Sequence, residues 1–525
     1  VLPGPAPQPA GRRGAHALPR LRLSVPAGPA WARALGRVVA AAGSGVLLAL
    51  AFPPLDLGPL ALVALVPLLW AWRDASPWSA ARDGFVFALA FLAVLMAGLT
   101  HTGYTGTTSL IVAAALYYAA TGALVAVLAR AGLRSPFLTA AAWVFFEALR
   151  GRWPLGGLAW GELGIALHGL GVARALASYG GVLLVTYAVV ACNGLLLDVA
   201  AAAWVRRPRA LTVAAGGLVA LVAVSLVADV VRYHPQPTGR LRVALLQGDD
   251  NAHGPIAEQV ADETLTEAHF ALAARLRGRF DLIVFPESAL VDDPEQDPPL
   301  RQRIVDLAAK HHAVVVVNAR YEGVNGKLYN ANLAYGPDGR LLGVYAKQHL
   351  VPFGEYVPFR HQLTFISDLR QIPYDFTAGN RRVLFHAGGR PFATVICYES
   401  AYAPLVRGFV RDGAQAIVVS TSDRSYGRSG IPATHVATAQ MRAAETGRPV
   451  VQAAISGESA IVDDTGRVVQ RTPVFTKAVV TATIATTTGE TPFVRLGEWV
   501  LAGCALALLA AAGVVAGREL RRARS

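Results

Sequence analysis

Apolar residues follow two rhythms along this chain. At roughly 36–52, 57–72, 84–100, 109–129, 136–149, 175–203, 210–231 and 496–516 they form long, nearly unbroken blocks, each of which predicts a membrane span. The 136–149 block is the weakest and admits two readings, a span or a buried or re-entrant segment. Between 240 and 485 the blocks shrink to strand length and Gly, Pro and polar residues punctuate them. RLRVALLQG, FDLIVFPES, AVVVVNARY, NANLAYGPDGRLLGVYAK, RPFATVICYES and AQAIVVSTS read as strands. Helix-like stretches at 258–277 and 300–311 lie between them, and Pro337-Asp338-Gly339 predicts a hairpin turn. The expected architecture is a polytopic α-helical membrane protein of about eight spans with an inserted α/β domain.

Charge adds direction to this picture. Of the 525 residues only 16% are charged, against about 25% in average soluble proteins. That deficit excludes a disordered chain, a small disulfide scaffold and an ordinary cytosolic enzyme. The net charge of +13 comes from arginines in the N-terminal segment, in short gaps between apolar blocks, and at the C-terminus. Such placement is that of topology signals, so no nucleic-acid partner is expected. Arg73 and Arg82, Arg130 and Arg134, and Arg206, Arg207 and Arg209 occupy alternate gaps, whereas 53–56 and 101–108 hold no Lys or Arg. The gap at 150–174, with Arg150, Arg152 and Arg174, is the exception.

Alternation predicts cytoplasmic termini and an extracytoplasmic insert. The expected organisation is a disordered tail over 1–35, a membrane domain over 36–231, and a catalytic domain over 240–485. A last span at 496–516 and a basic tail over 517–525 complete it.

Candidate chemistry starts from Cys397. Cys192 and Cys504 lie in apolar blocks, which leaves Cys397 as the only cysteine of the insert, at the end of the RPFATVI strand where α/β folds place reacting groups. A thiol that attacks an ester or amide needs a proton acceptor and a group to steady the oxyanion. His349 and His435 are candidates, but nothing in the sequence singles either out. Glu287 and Lys347 end two other predicted strands, and a carboxylate and an ammonium would divide the two tasks.

Strand-FPES at Glu287, YAKQHLVPFGEYVP at Lys347 and VICYES at Cys397 resemble the Glu-Lys-Cys triad of the carbon–nitrogen hydrolase (nitrilase) superfamily, which implies an α-β-β-α sandwich. Set among membrane spans, the domain resembles the apolipoprotein N-acyltransferase family from about residue 36 to 516, through W-x-x-x-E-x-L-R at Trp143, QGD at Gln247, MRAAETGRPVV at Met441 and TTTGETPF before the last span. That resemblance implies a ping-pong transferase of a bacterial inner membrane. A phospholipid, typically phosphatidylethanolamine, would donate its sn-1 acyl chain to Cys397, and the amine of a diacylglyceryl-cysteine apolipoprotein would accept it. Glu287 is then the base and Lys347 the oxyanion partner. Glu355 matches a further essential glutamate, and Tyr398 and Glu399 match residues flanking the nucleophile. Neither cofactor nor metal is implied.

Two loops depart from the family pattern. Ser422-Asp423-Arg424-Ser425-Tyr426-Gly427 lacks the tryptophan of N-D-x-W-F-G, and 250–258 lacks an aromatic after QGD. Other signals carry two readings each. Glu147 and Arg150 suit a lipid headgroup or an interfacial anchor, and Glu162 with Trp153 and Trp160 suits a lipid entrance. Asp292, Asp293, Glu295 and Asp297 read as a solvated loop rather than a cation site. Alternatives to the transferase are a membrane-anchored amidase or nitrilase, and a weakly active lipoprotein-binding paralogue. Transport fits poorly, because the spans hold few ionisable residues.

Overall fold

In the computed structural model, residues 29–249, 265–362 and 374–524 are described. Every apolar block is helical. The helices are α1 (Ala30–Leu50), α2 (Ala61–Ala64), α3 (Val66–Trp72), α4 (Pro77–Leu95), α5 (Tyr104–Arg130), α6 (Pro136–Arg150), α7 (Gly171–Trp204) and α8 (Pro208–Val230). Six helices are long and apolar enough to cross a bilayer: α1, α4, α5, α7, α8 and the C-terminal helix. The other two expected spans fall short. The 57–72 block is a broken run, Gly58–Trp72, and α6 has only 15 residues, about 22 Å of helix against a hydrocarbon core of about 30 Å. The protein is a multi-pass membrane protein.

Three boundaries differ from expectation. Residues 1–28 of the expected tail lie outside the described residues, and α1 begins at Ala30, directly after Pro29. Proline suits a helix start because its missing N–H is not needed there. At the other end the helix continues through the expected basic tail to Arg524. The 175–203 block belongs to a 34-residue helix broken by Gly180 (φ −144°, ψ 17°) and Gly181 (φ 72°, ψ −176°). A Cβ on Gly181 would lie 2.7 Å from the Phe493 ring and 3.2 Å from Glu445, so the left-handed backbone and the crowding both require glycine.

The insert carries two six-stranded sheets. The strands of the first are β1 (Gln236–Gln247), β2 (Leu282–Val284), β3 (Val314–Glu322), β4 (Leu328–Tyr335), β5 (Leu341–Ala346) and β12 (Ala478–Thr488), in the order β12-β1-β2-β3-β4-β5. The second holds β6 (Leu384–Ala387), β7 (Arg390–Ile396), β8 (Ile417–Thr421), β9 (Val450–Ala454), β10 (Ala460–Val462) and β11 (Val468–Arg471), in the order β11-β10-β9-β8-β7-β6.

Alternation along the strands sorts their two faces. Ala244, Ile283 and Val315 pack with α9 (265–273) and α10 (Pro298–His311), while Val243, Leu282 and Val316 face the second sheet. Beyond it lie α11 (Ala403–Arg411) and α12 (Ile431–Thr446), giving the α-β-β-α sandwich. The expected 258–277 helix is seen only from 265, since 250–264 lie outside the described residues. The short α13 (Pro492–Leu496) leads into α14 (Trp499–Arg524). One apolar cluster runs without a break from Ala41 and Phe87 in the membrane helices to Val395 and Val418 in the second sheet.

The arginines that broke the charge alternation are structural. Arg150 is buried and donates to the Trp160 carbonyl at 2.7 Å, Arg152 pairs with Glu498, and Arg174 donates to the His168 carbonyl at 2.6 Å. The loop between α6 and α7 is therefore a folded platform.

Candidate active site

Glu287, Lys347 and Cys397 come from β2, β5 and β7, each just past the end of its strand, and both charged groups are buried. Lys347 Nζ donates to Glu287 Oε1 at 3.1 Å and to Glu355 Oε1 at 3.0 Å. Asn330 Nδ2 bridges the same two oxygens at 2.8 and 2.7 Å. The second oxygen of Glu287 accepts the Ser422 N–H at 3.2 Å, and that of Glu355 accepts the Val351 N–H at 2.8 Å. Burial works against the charge on Lys347, but the two carboxylates outweigh it and hold the ammonium well above its ordinary range.

Asparagines set the position of Glu287. Asn318 Oδ1 accepts the Ser288 N–H at 2.8 Å, and Asn318 Nδ2 donates to Asn330 at 2.9 Å and to Asn332 at 3.0 Å. Each residue alone is an unremarkable strand polar group, so the sequence carried no signal for this ladder.

Cys397 opens a short 3₁₀ turn, Cys397–Ala401, at φ 52°. A non-glycine residue with positive φ is uncommon and stores strain, here at the thiol-bearing residue itself. Burial, and then the charge of Glu287, push the thiol well above its ordinary range, while Lys347 pulls the other way. The resting group is a neutral thiol.

Glu399 ties this turn to the lysine segment. Its Oε2 accepts the Ile396 N–H at 2.9 Å, and its Oε1 accepts the Gln348 and His349 N–H groups at 2.6 and 3.1 Å. Tyr345 donates its hydroxyl to the same carboxylate at 2.9 Å. The two histidines bond to or stack on other groups. His435 Nε2 lies 3.0 Å from the Cys397 carbonyl oxygen and Nδ1 lies 3.1 Å from Asp423. His349 stacks on Tyr402 with ring centroids 3.9 Å apart.

Tyr398 points the other way, into the membrane part. Its hydroxyl accepts the Ala159 N–H at 2.7 Å, and the Tyr402 hydroxyl donates to the Gly157 carbonyl at 3.2 Å. Trp160 of the same platform is buried against Tyr398 and His435, while Trp153 is exposed, so the expected grouping of Glu162 with both tryptophans is split. Glu147 and Arg150 are not open to a headgroup. Both are buried, and Glu147 accepts the Leu163 N–H at 3.0 Å and the Thr186 hydroxyl at 2.7 Å.

The acidic run is solvated in part, Asp292 and Glu295 being exposed. Asp293 is buried and accepts the Glu295 and Glu322 N–H groups, each at 2.9 Å, and Asp297 caps α10. Asp293 and Asp297 are spent on backbone donors.

The departing loop at 422–427 is part of the site. Ser422 supplies the N–H on Glu287, buried Asp423 holds His435, and a Cβ on Gly427 would lie 3.2 Å from His101 of the membrane part. The other departing loop, at 250–258, lies outside the described residues.

Fold and site together define a carbon–nitrogen hydrolase domain, working through a cysteine, set into a multi-pass membrane protein. A family model described as carbon-nitrogen hydrolase matches residues 242–493, and one described as the apolipoprotein N-acyltransferase N-terminal domain matches residues 44–195. The apolipoprotein N-acyltransferase of Methylococcus capsulatus is 32% identical over 503 residues, 92% of this chain and 96% of its own. That of Geobacter metallireducens is 30% identical over 503 residues, 91% and 94% of the two chains. Among solved structures, a CN-hydrolase superfamily protein of Xanthomonas campestris aligns with 47% of this chain and 90% of its own at 22% identity and a TM-score of 0.36. The chain belongs to the apolipoprotein N-acyltransferase family.

Proposed function

We propose that the protein moves a fatty acyl chain from a phospholipid, through a thioester on Cys397, to the N-terminal amine of diacylglyceryl-cysteine lipoproteins. The observation that carries this reading is the bonding of Tyr398 and Tyr402, beside the nucleophile, to the α6–α7 platform of the membrane domain. A thiol held against membrane helices suits substrates whose acyl chains stay in the bilayer, where each buried CH₂ is worth about 0.8 kcal/mol.

Because the thiol rests protonated, Glu287 takes its proton as sulfur attacks the ester carbonyl. Lys347 faces the oxyanion that forms. Collapse breaks the ester C–O bond, and the leaving alkoxide of the lysophospholipid receives the proton from Glu287. The lipoprotein amine then attacks the thioester, gives a proton to Glu287, and expels the Cys397 thiolate, which recovers that proton. Glu355, with Asn330, holds Lys347 and Glu287 in register, and Glu399 and Tyr398 fix the cysteine turn. The alternation of basic gaps supports an extracytoplasmic catalytic domain on an inner membrane, with both termini in the cytoplasm.

Intact-mass spectrometry of the detergent-purified protein with phosphatidylethanolamine tests this. A fatty-acyl increment that needs Cys397, and passes to an added diacylglyceryl-cysteine peptide, is expected. An adduct discharged only by water makes the protein a membrane-anchored hydrolase.

A further inference from the structure

His435 of α12 is buried between two turns of the active site. On one side its Nε2 lies 3.0 Å from the Cys397 carbonyl oxygen and 2.9 Å from the Ser400 hydroxyl. On the other, Nδ1 lies 3.1 Å from Asp423 Oδ1 and 3.4 Å from the Thr421 hydroxyl. The Trp160 ring of the membrane platform stands edge-on to the imidazole, with centroids 5.7 Å apart. Asp423 follows Ser422, whose N–H holds Glu287. One ring therefore joins the loop that holds Glu287 to the turn that carries Cys397.

Its partners decide its protonation. A backbone carbonyl only accepts hydrogen bonds, and so does an ionised carboxylate. A neutral imidazole carries one N–H and would leave one of these contacts as two facing acceptors, whereas an imidazolium donates to both. Burial opposes the charge, but Asp423, the Cys397 carbonyl and Glu287 outweigh it.

The bond to Cys397 falls where the backbone is strained. Cys397 has φ 52° and Asp423 φ 53°, values that non-glycine residues keep only where their surroundings hold them. The peptide unit before Cys397 is held through the Ile396 N–H by Glu399 at 2.9 Å, and the unit after it through the Cys397 carbonyl by His435. Losing the second hold lets that unit turn and the strained φ relax, which carries the thiol out of line.

We propose that His435 is a positioning residue for acyl transfer: an imidazolium that pins the Cys397 carbonyl and so keeps the strained turn in the form that presents the thiol. This rests on the reading of Cys397 as the nucleophile. The clamp is in place while the ring carries both protons and is lost as pH rises through the titration of the folded histidine. Acylation therefore has an alkaline limit set by a residue outside the reacting trio.

The test follows Cys397 acylation by phosphatidylethanolamine with intact-mass kinetics, and ring protonation by nitrogen NMR of the full chain carrying isotope-labelled histidine. It compares wild type, His435→Gln and His435→Leu in detergent. Glutamine keeps one N–H for the carbonyl but no charge, and leucine keeps neither. The wild-type signals of His435, identified by their loss in both variants, should show two protonated nitrogens at a pH where an unstructured histidine is already neutral. The acylation rate should fall on the alkaline side with the midpoint of those signals. His435→Gln should acylate close to the wild-type rate and lose the alkaline fall. His435→Leu should be slower by about tenfold or more below that midpoint, the worth of one charge-assisted hydrogen bond, with the phospholipid KM unchanged.

A neutral ring at that pH, an alkaline fall that persists in His435→Gln, or a wild-type rate in His435→Leu would each overturn the clamp. A role confined to stability would lower the melting temperature of both variants and leave the pH profile as in wild type, which also overturns it. If wild type takes no acyl group from phosphatidylethanolamine, the lipid-donor reading fails while the clamp is still decided. Ring protonation and hydrogen exchange over 397–401 then decide it, and exchange unchanged in His435→Leu would overturn it. If His435→Leu does not fold, the comparison of wild type with His435→Gln decides alone.

Discussion

The Tyr398 hydroxyl accepts a hydrogen bond from the Ala159 N–H at 2.7 Å, so the residue after the nucleophile is moored to a loop between two membrane helices. The turn that carries Cys397 and the membrane platform are thus bonded directly to each other. Tyr398→Phe removes an acceptor and leaves the Ala159 N–H unpaired in a buried setting, a cost of about 1–3 kcal/mol borne locally. Hydrogen exchange at 157–160 is expected to speed up and acyl transfer to fall, while the global melting temperature barely changes. Unchanged exchange at Ala159 would sink this account.

Glu287 acts on Cys397 in two opposed ways, and one variant separates them. Its charge adds to burial in raising the thiol, yet in the proposed reaction it is the base that takes the proton. Glu287→Gln should lower acyl-enzyme formation by about 10²–10⁴-fold, the usual worth of a general base. The same change removes a neighbouring negative charge, so the pH midpoint of Cys397 alkylation by iodoacetamide should fall below that of wild type. A midpoint that does not fall, together with lost transfer, would point to a disturbed pocket instead of a missing base.

Lys347 neutralises two buried carboxylates at once. Lys347→Met leaves Glu287 and Glu355 facing each other without their cation, and breaking a buried pair in this way costs about 3–5 kcal/mol. The double variant Lys347→Met/Glu355→Gln should regain much of the stability but none of the transfer activity. Calorimetry of the two variants beside an acyl-transfer assay checks both parts. Equal melting temperatures for the single and double variants would mean that the carboxylates do not repel.

His435 predicts a pH dependence. Burial opposes its charge, but Asp423 on one ring nitrogen and the Cys397 carbonyl on the other outweigh it and raise its titration above the ordinary range. A histidine raised on folding contributes stability fully below its unfolded value, about 6.5, and loses that contribution as pH rises through the folded value. Melting temperature should therefore fall across that alkaline window, and the slope should be absent in His435→Gln. The same slope in the variant would assign it to another group.

Much of this was legible in the one-dimensional pattern. Apolar blocks long enough for a bilayer, β-branched runs of strand length, and a lone cysteine at a strand end are local properties, and local properties survive in a string of letters. Glu287, Lys347 and Cys397 were legible because each ends a strand, and strand ends on one edge of a sandwich converge. At 57–72 the helix is broken and at 136–149 it is short, features invisible to hydropathy, which measures apolarity and not whether a helix runs unbroken for the thickness of a membrane.

Contacts distant in the chain were decided only by folding. Ser422 meets Glu287 across 135 positions, and Glu445 accepts the Val182 N–H freed at the Gly180–Gly181 break across 263 positions. Arg150 and Arg174 look like topology charges in the sequence, yet they bond carbonyls inside the platform. A polar side chain does not carry the identity of its partner. That identity is set by which donors and acceptors burial brings within about 3 Å of each other, where a missing bond is costly. The sequence by itself determined the apolar helical segments, the sandwich strands and the placing of Glu287, Lys347 and Cys397 just past strand ends. Tertiary structure alone decided the strained φ at Cys397, the asparagine ladder behind Glu287 and the mooring of Tyr398, since each exists only when distant segments exclude water together.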